Sequence, residues 1–241
     1  MNNIPKTIHY CWFGGNQLPD DAKRYIETWK RYCPDYKIIE WNETNFDVFQ
    51  NQYCREAYEA KKWAFVSDYV RLKVLYDHGG IYMDTDVEVC KNLDDLLIYS
   101  ACTGFESNTG IVTGIIMACK NNEWIGYLLD YYTDKHFLDE KGKCDLTTNV
   151  TVITNMTVKK YSLLLNNKKQ VFGGSNVIFP FDYFCAKSLD DGKIRMTSNT
   201  YTIHHFAGSW LTPLQKCRHK IKELLVKVVG VDIVNLIRRI I

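Results

Sequence analysis

Apolar residues in the first third of the chain fall into short runs separated by longer mixed segments. Residues 8–13, 36–41 and 81–83 form such runs, and their length and their β-branched and aromatic content are typical of strands. The segments between them are long enough to hold helices. Because strands that alternate with helices are typical of α/β domains, the sequence predicts a largely parallel sheet in this region.

Two helices are predicted between these strands. Helical spacing of apolar residues predicts one helix that begins at Asp20 or Asp21, either of which could cap it. A second helical segment covers about 55–77 and ends at Gly79 and Gly80, since glycine commonly terminates helices. These glycines then turn the chain into the next strand.

The pattern is weaker beyond residue 90. It indicates a strand around Ile115, a helix over 123–137, and later strands over 177–184 and 200–206. No internal repeat, low-complexity tract or linker divides the chain. Residues 1–215 are therefore predicted to form one domain.

The tail, residues 216–241, differs from that domain. Its apolar residues follow helical spacing around a break at Gly230, and it has seven Lys or Arg against two acidic residues. A basic amphipathic helix can lie on an anionic membrane surface, which would make the protein a peripheral membrane protein. The alternative is a terminal helix that packs on the core, and the sequence leaves both open.

Composition narrows the class of protein. A net charge of +2 over 241 residues argues against nucleic acid as the main partner. The nine cysteines are odd in number and irregularly spaced, the N-terminus lacks the pattern of a secretory signal, and no apolar run is long enough to span a membrane. We therefore expect a cytoplasmic protein with reduced thiols.

Two carboxylates follow the strand at 81–83. Asp84 and Asp86 would point to the same side if the strand continued through them. Two ionised carboxylates that close repel each other unless a cation or a proton lies between them, and hard oxygen ligands favour Mg²⁺ or Mn²⁺. The alternative is a turn with two solvated acids, because a bare Asp-x-Asp is common by chance.

A second polar pair precedes the glycines. Asp68 and Arg71 stand three residues apart and so share one helical face. They form either an exposed ion pair, worth a few tenths of a kcal/mol, or a pair of groups directed at one polar ligand. Spacing alone does not decide between these interpretations.

Three stretches together resemble glycosyltransferase family 32, the DXD sugar-transferase family. They are "IHYCWFGG", "SDYVRLKVLYDHGGIYMDTD" and "HHFAGSW", and they span most of residues 4–210, although 107–191 match no motif. The family includes bacterial capsule and surface-polysaccharide transferases, and the large clostridial glucosylating toxins share its motifs. The resemblance implies an α/β fold of the GT-A type, with a Rossmann-like mixed central sheet flanked by helices.

The resemblance also implies roles for individual residues around the donor. Trp12 would stack on the nucleotide base, with a core tryptophan as the alternative reading. Asp68 and Arg71 would bind the sugar hydroxyls and phosphate of the donor, with Ser67 beside them. Tyr82 would line the same pocket.

The metal and the diphosphate would be held by residues from two motifs. Asp84 would reach the ribose and the donor, and Asp86 would bind Mn²⁺ (or Mg²⁺) directly, so both are assigned to the metal site. Ser209 and Trp210 match a closing loop that contacts the diphosphate. The catalytic set implied by the resemblance is Asp68, Arg71, Asp84 and Asp86.

One further metal ligand is expected from "HHFAGSW". On a strand His204 and His205 point to opposite faces, so only one of them can be a ligand. His205 is favoured, because Tyr201 and Ile203 on its side would form one continuous wall. The toxins use an acidic ligand near this point, which leaves the choice of ligand open.

The function expected from this resemblance is transfer of a sugar from a nucleotide-diphosphate sugar, with UDP-sugar as the expected donor. The acceptor would be a glycan or a lipid-linked saccharide in polysaccharide biosynthesis, with the tail at the cytoplasmic membrane face. The resemblance implies retention of anomeric configuration, and no carboxylate nucleophile is evident. Front-face displacement is therefore expected, in which the leaving phosphate helps to take the proton of the acceptor.

Two other functions are compatible with parts of the pattern. A haloacid dehalogenase-type phosphohydrolase also has an Asp-x-Asp after an apolar strand, with the first Asp as nucleophile, but usually on an early strand. A non-catalytic nucleotide-sugar-binding module would bind donor without turnover. The intact set of Asp68, Arg71, Asp84 and Asp86 argues against such a module.

Overall fold

The computed structural model describes residues 3–189 and 191–208. Its strands are β1 (Thr7–Cys11), β2 (Lys37–Trp41), β3 (Gly80–Met83), β4 (Val87–Val89), β5 (Ala101–Ser107), β6 (Gly110–Ile111), β7 (Ile115–Ala118), β8 (Gln170–Phe172), β9 (Asn176–Phe179) and β10 (Thr202–His204). Its α-helices are α1 (Asp20–Tyr32), α2 (Gln52–Glu59), α3 (Trp63–His78), α4 (Glu123–Asp130), α5 (Asn149–Tyr161) and α6 (Phe181–Phe184). Ser209, Trp210 and the predicted tail at 216–241 lie outside the described residues.

The main sheet has the spatial order β2-β1-β3-β7-β5-β9-β8, with β6 paired to β5. Successive residues of its central strands face opposite sides, so Ile81 and Met83 enter one apolar core and Tyr82 the other. Helices α2, α3, α4 and α5 cover the side of Tyr82, while α1, β4 and α6 cover the opposite side. The predicted mixed central sheet flanked by helices is confirmed.

Strand direction brings the ends of several strands to one edge. β1 runs parallel to β2 and to β3, whereas β7 is antiparallel to both β3 and β5, and β5 is parallel to β9. The C-terminal ends of β1, β3, β5 and β9 therefore meet at the edge where β7 begins. Ligands of open α/β sheets bind outside this carboxyl edge, so residues that follow these strands are the candidates for function.

The turn from α3 into β3 depends on glycine, as the sequence predicts. Gly79 caps α3 with a φ of 65°, and its N–H donates to the carbonyl of Leu75 at 2.8 Å. A Cβ at Gly79 would lie 2.6 Å from the backbone nitrogen of Lys120. Only glycine fits both the left-handed backbone and this close approach.

Several predicted boundaries are wrong for local reasons. Pro19 occupies the N-cap of α1, and Asp20 and Asp21 lie in its first turn, where a carboxylate stabilises the helix dipole instead. The segment predicted as one helix over 55–77 is two helices, separated where Lys61 adopts a left-handed φ of 55°. The segment 177–184 is half strand and half helix, divided at Pro180, which cannot donate to a sheet.

A partly buried carboxylate on α2 fixes the segment that follows α4, where the helix predicted over 123–137 ends early. Glu56 accepts hydrogen bonds from the N–H groups of Phe137 and Leu138 at 2.8 and 3.1 Å, and its other oxygen lies 2.8 Å from His136 Nδ1. Burial alone would raise the pKa of Glu56, but the hydrogen bonds from Gln52, Leu138, His136 and Phe137 outweigh it and lower the pKa to about 2.

Glu56→Gln is expected to lower the free energy of unfolding at pH 7 by about 2 kcal/mol, since the charged acceptor of several bonds is lost. Because the folded pKa lies below the unfolded value near 4.5, this contribution is complete above pH 4.5 and disappears as the pH falls towards 2. Urea unfolding of both proteins should therefore converge at low pH. A constant difference between pH 7 and pH 3 would contradict this role for Glu56.

Among the described residues, no helix combines the length and the apolar character needed to cross a bilayer.

Candidate active site

The two aspartates lie in a turn rather than on a strand. β3 ends at Met83, and residues 84–86 form the turn into β4, closed by a hydrogen bond from the Val87 N–H to the Asp84 carbonyl at 3.0 Å. The Asp84 N–H donates to the carbonyl of Gly114 at 2.8 Å, which attaches the turn to the start of β7. The expectation that strand alternation aligns the carboxylates is therefore wrong, and the turn brings them together instead.

Arg71 connects α3 to this turn. Its guanidinium donates to Asp68 Oδ1 at 3.0 Å and to the Thr113 carbonyl at 2.7 Å, and it lies 3.3 Å from Asp84 Oδ1. It also stacks over the ring of Tyr82, whose hydroxyl donates to Asp84 at 2.8 Å. The side chain of Arg71 is only 5% exposed, so the interpretation of an exposed helical ion pair is wrong.

The opposite charges of Arg71 and the neighbouring carboxylates stabilise one another. Burial raises the pKa of Asp68 to about 6, and the positive charge of Arg71 opposes that rise. Burial lowers the pKa of Arg71, but the carboxylates of Asp84 and Asp68 more than compensate, so the guanidinium stays charged. The buried guanidinium of Arg71 thus lies against the turn, and its positive charge reduces the repulsion between the carboxylates of the site.

His204 completes a cluster with the two aspartates. β10 pairs antiparallel with β4, with His204 opposite Val87, and this pairing brings His204 Nε2 to 3.2 Å from Asp86 Oδ1. The N–H of Ala207 donates to Asp86 Oδ2 at 2.7 Å, and the N–H of His205 donates to the Asp86 carbonyl at 2.9 Å. Asp86 is therefore held by the segment 204–207 on both its side chain and its backbone.

The preference for His205 as the metal ligand is wrong for this geometry. The two rings do point in opposite directions, but His205 turns away from the aspartates: its Nε2 lies 2.8 Å from Glu88, and its ring stacks on Tyr25 with a centroid separation of 4.4 Å. His204 is the histidine next to the aspartates, because the pairing of β10 with β4 directs its ring at the turn.

The cluster has the chemistry of a divalent-cation site. Ligand atoms of Asp84, Asp86 and His204 all lie within 4.8 Å of one another. Burial alone would raise the pKa of Asp86, but His204 and the N–H of Ala207 lower it to about 2. Burial alone would lower the pKa of His204, but Asp86 outweighs it and holds that pKa well above its usual value. Two carboxylate oxygens and one imidazole nitrogen suit Mn²⁺ or Mg²⁺, so the residues fit the expected metal.

Gly114 leaves room for the ring of His204. A Cβ at this position would lie 2.7 Å from His204 Cε1 and 3.0 Å from both ring nitrogens. Gly114 does not have a left-handed φ, so its lack of a side chain serves this approach rather than the backbone.

Gly114→Ala is expected to push the His204 ring out of line with Asp86 and to weaken Mn²⁺ binding by about 10-fold, comparable to loss of an orienting contact at a metal site. Gly114→Val, with a larger side chain, should weaken binding further. Calorimetric titration with Mn²⁺ measures both effects, and circular dichroism checks the fold. Unchanged Mn²⁺ affinity in Gly114→Val would exclude a ligand role for His204.

The remaining predicted site residues lie at the same edge or outside the described residues. Trp12 follows β1 directly and is half-buried, and its Nε1–H donates to the Asn16 carbonyl at 2.6 Å. Ser67 lies in α3 one turn before Arg71, and its carbonyl accepts from Arg71 Nε at 3.2 Å. Ser209 and Trp210 are not among the described residues, so their proposed contact with the diphosphate stays a prediction.

The sequence interpretation missed other residues at this edge. Glu106 near the end of β5 lies close enough to His204, Asp84 and Asp86 for their charges to shift its pKa. Asn149, the first residue of α5, lies beside Asp68 and accepts from the Tyr132 hydroxyl at 3.4 Å. Asn149 belongs to the segment without recognised motifs and Glu106 lies just before it, and only the topology of the sheet brings them here.

The comparison with protein families agrees with this site. Residues 19–103 match a family model described as "Glycosyltransferase sugar-binding region containing DXD motif". This part of the chain is therefore similar to the sugar-binding region of DXD glycosyltransferases. Its DXD motif is Asp84-Thr85-Asp86, and the resemblance drawn from the sequence is confirmed for this region.

Curated relatives are also glycosyltransferases. The chain is 30% identical over 130 residues to inositol phosphoceramide mannosyltransferase 3 of Schizosaccharomyces pombe, an alignment that covers 51% of this chain and 35% of that protein. It is 24% identical over 226 residues to the uncharacterized glycosyltransferase L373 of Acanthamoeba polyphaga mimivirus, covering 89% and 87% of the two chains. The chain thus spans about a third of the yeast relative's length.

Among solved structures, the PaToxG glycosyltransferase aligns with a TM-score of 0.49 and 20% identity, over 66% of this chain and 70% of that chain.

Proposed function

We propose that this protein is a metal-dependent hexosyltransferase that moves a sugar from a nucleotide-diphosphate sugar to a hydroxyl group, with retention of anomeric configuration. The observation that carries the proposal is the cluster of Asp84, Asp86 and His204 beside a buried arginine. The DXD region that contains the two aspartates supports the same class of donor. Transfer to a glycan or a lipid-linked saccharide would be the overall reaction.

The metal, Mn²⁺ or Mg²⁺, would be held by Asp84, Asp86 and His204. When bound, it would neutralise the charge that develops on the departing diphosphate. Arg71 would stabilise the same developing charge from the protein side, since its guanidinium already lies 3.3 Å from Asp84. The Tyr82 ring packs against the face of that guanidinium, and the Thr113 carbonyl accepts a hydrogen bond from its Nη1–H. Both contacts hold the guanidinium in place.

The donor sugar would lie on the α3 side of the metal. Asp68 is buried next to Arg71, and its carboxylate would accept hydrogen bonds from sugar hydroxyls. Trp12, at the end of the neighbouring parallel strand, would stack on the base. UDP-sugar is the donor expected from the resemblance, while the mannosyltransferase among the relatives makes a mannose donor the second choice.

We further propose that the acceptor is presented at a membrane surface. The relative that acts on inositol phosphoceramide supports a lipid-linked acceptor, and the basic residues in 216–241 suit an anionic surface. The enzyme would then work at the cytoplasmic membrane face, in surface-polysaccharide or glycolipid synthesis.

The test is release of free nucleotide from a panel of UDP- and GDP-sugars, with and without Mn²⁺. Transferases often hydrolyse donor slowly in the absence of acceptor, so one donor should give metal-dependent release. An Asp84→Asn/Asp86→Asn variant should give none. If Mn²⁺ is dispensable, or if the variant matches the wild type, the proposed site is wrong. Proton NMR of fresh product tests retention, which an inverted product would contradict.

A further inference from the structure

Glu106 is another acidic group at the carboxyl edge of the sheet, and it lies on β5 rather than after β3 as the DXD motif does. β5 pairs with β7 at Cys102 and Met117 and then with β6 at Phe105 and Ile111, so Glu106 near the end of β5 lies at the edge where β6 returns to β7. Thr113 and Gly114, in the connection from β6 to β7, contact Arg71, Asp84 and His204. The topology therefore places Glu106 at the same edge of the sheet as the metal cluster.

The side chain of Glu106 has no structural partner in the parts of the chain described, 3–189 and 191–208. It makes no hydrogen bond or ion pair there, although it is partly buried and the charges of His204, Asp84 and Asp86 act on its pKa. Burial raises its pKa, His204 opposes the rise, and the two aspartates add to it. A half-buried carboxylate without a partner is costly for the fold, which favours a role with a ligand.

Glu106 is also distinct from the metal ligands. The set of ligand atoms within 4.8 Å of one another contains Asp84, Asp86 and His204 but not Glu106. A cation held by Asp84, Asp86 and His204 would thus have Glu106 at the same edge of the sheet, as a group outside this ligand set. A nucleophile of double displacement would instead lie across the anomeric carbon from the diphosphate.

We propose that Glu106 is the catalytic base that receives the proton of the attacking hydroxyl on the side of the leaving diphosphate. This inference rests on the proposed function. In the step, the acceptor oxygen forms a bond to the anomeric carbon while the bond from that carbon to the phosphate oxygen breaks. The electron pair stays on the diphosphate, and the hydroxyl proton moves to a carboxylate oxygen of Glu106, which later returns it to water.

The position of Glu106 agrees with front-face attack. An acceptor that approaches on the side of the leaving group would bring its hydroxyl towards the residues that would hold the diphosphate, at the edge of the sheet where Glu106 lies. In the expectation from sequence, the leaving phosphate takes this proton. Glu106 supplies a carboxylate at this edge that can take the proton instead, as a general base.

The test uses donor hydrolysis, with water as the acceptor and the donor that wild type turns over. Glu106→Gln is expected to lower kcat by about 1,000-fold, within the range of general base catalysis. The KM for donor and the affinities for Mn²⁺ and for the product nucleotide, measured by calorimetry, should stay within about twofold of wild type, because Glu106 binds none of them directly. Glu88→Gln is the matched control, since Glu88 lies nearby but contacts His205.

Chemical rescue separates a base from a structural residue. Glu106→Ala should recover at least about 10-fold in kcat with added formate, a small carboxylate that can occupy the vacated space, while the Glu88→Gln variant should not respond.

Four results would overturn the inference. Full kcat in Glu106→Gln would exclude a base, and loss of Mn²⁺ affinity in parallel with kcat would make Glu106 a metal ligand instead. An inactive Glu106→Ala that formate does not restore, in a protein with normal Mn²⁺ affinity, would also count against it. A folded wild type that turns over no donor of the panel would overturn the proposed function and this inference with it.

Discussion

His204→Ala is expected to weaken Mn²⁺ binding by about 100-fold and to reduce metal-dependent donor turnover to the same extent. Loss of a ligand should cost at least as much as loss of the groups that orient ligands, which lowers metal affinity by about 10- to 100-fold. His204 provides the only imidazole in the cluster of the described residues, and its Nε2 lies 3.2 Å from Asp86. Calorimetric titration with Mn²⁺ and release of nucleotide measure the two effects.

The chain contains a matched control in the next residue. His205→Ala removes the same ring one position along, where it contacts Glu88 and Tyr25 rather than the aspartates. The backbone N–H of His205 that donates to Asp86 remains in the variant. His205→Ala should therefore bind Mn²⁺ as wild type does. If His205→Ala loses Mn²⁺ binding and His204→Ala keeps it, the metal ligand is His205 and not His204.

Arg71→Met is expected to lower the free energy of unfolding by about 4 kcal/mol at pH 7, within the range measured when one partner of a buried ion pair is removed. The substitution leaves the carboxylate of Asp68 buried without its cation, since the Asp68 side chain is only 11% exposed. It also removes the donor to the Thr113 carbonyl. Urea unfolding followed by tryptophan fluorescence measures the loss.

A double variant separates stability from catalysis. Asp68→Asn/Arg71→Met has no uncompensated buried charge, so it should recover more than half of the lost stability. Donor turnover should remain low in the double variant, because the charge that faces the diphosphate is still missing. If Arg71→Met costs less than about 1 kcal/mol, the value typical of an exposed ion pair, the buried arrangement described for Arg71 is wrong.

The DXD half of the site could be predicted because its residues lie close together in sequence. Asp68 and Arg71 share a face of α3, and two glycines return the chain directly to β3 and the turn that holds Asp84. Helical spacing and the glycine cap are enough to bring these groups to one edge. The end of β3 at Met83 was predicted and a turn was one of the two alternatives for Asp84 and Asp86, but strand alternation was wrong as the reason for their proximity.

The choice of histidine could not be made from sequence because it depends on a distant pairing. Strand alternation correctly separates His204 from His205, but which ring faces the aspartates is set by the register between β10 and β4. The expected wall of Tyr201 and Ile203 does not form, since both side chains are buried in the core. Pairing across more than a hundred residues leaves no local signal.

Glu106 was missed for a related reason. A single glutamate near the end of a strand has no distinctive spacing, and the strand order β3-β7-β5 that brings it to the DXD turn is not apparent along the chain. One local pattern could have indicated it: Glu106 follows Phe105 near the C-terminal end of an apolar strand, and ligands of α/β sheets bind at such ends.

An anomalous difference map from crystals grown with MnCl₂ and UDP would test the proposed metal site directly. We expect one strong Mn²⁺ peak at about 2 Å from the carboxylates of Asp84 and Asp86 and from His204 Nε2, with diphosphate oxygens completing the coordination. A peak between His205 and Glu88, or UDP bound with no metal at the two aspartates, would contradict it.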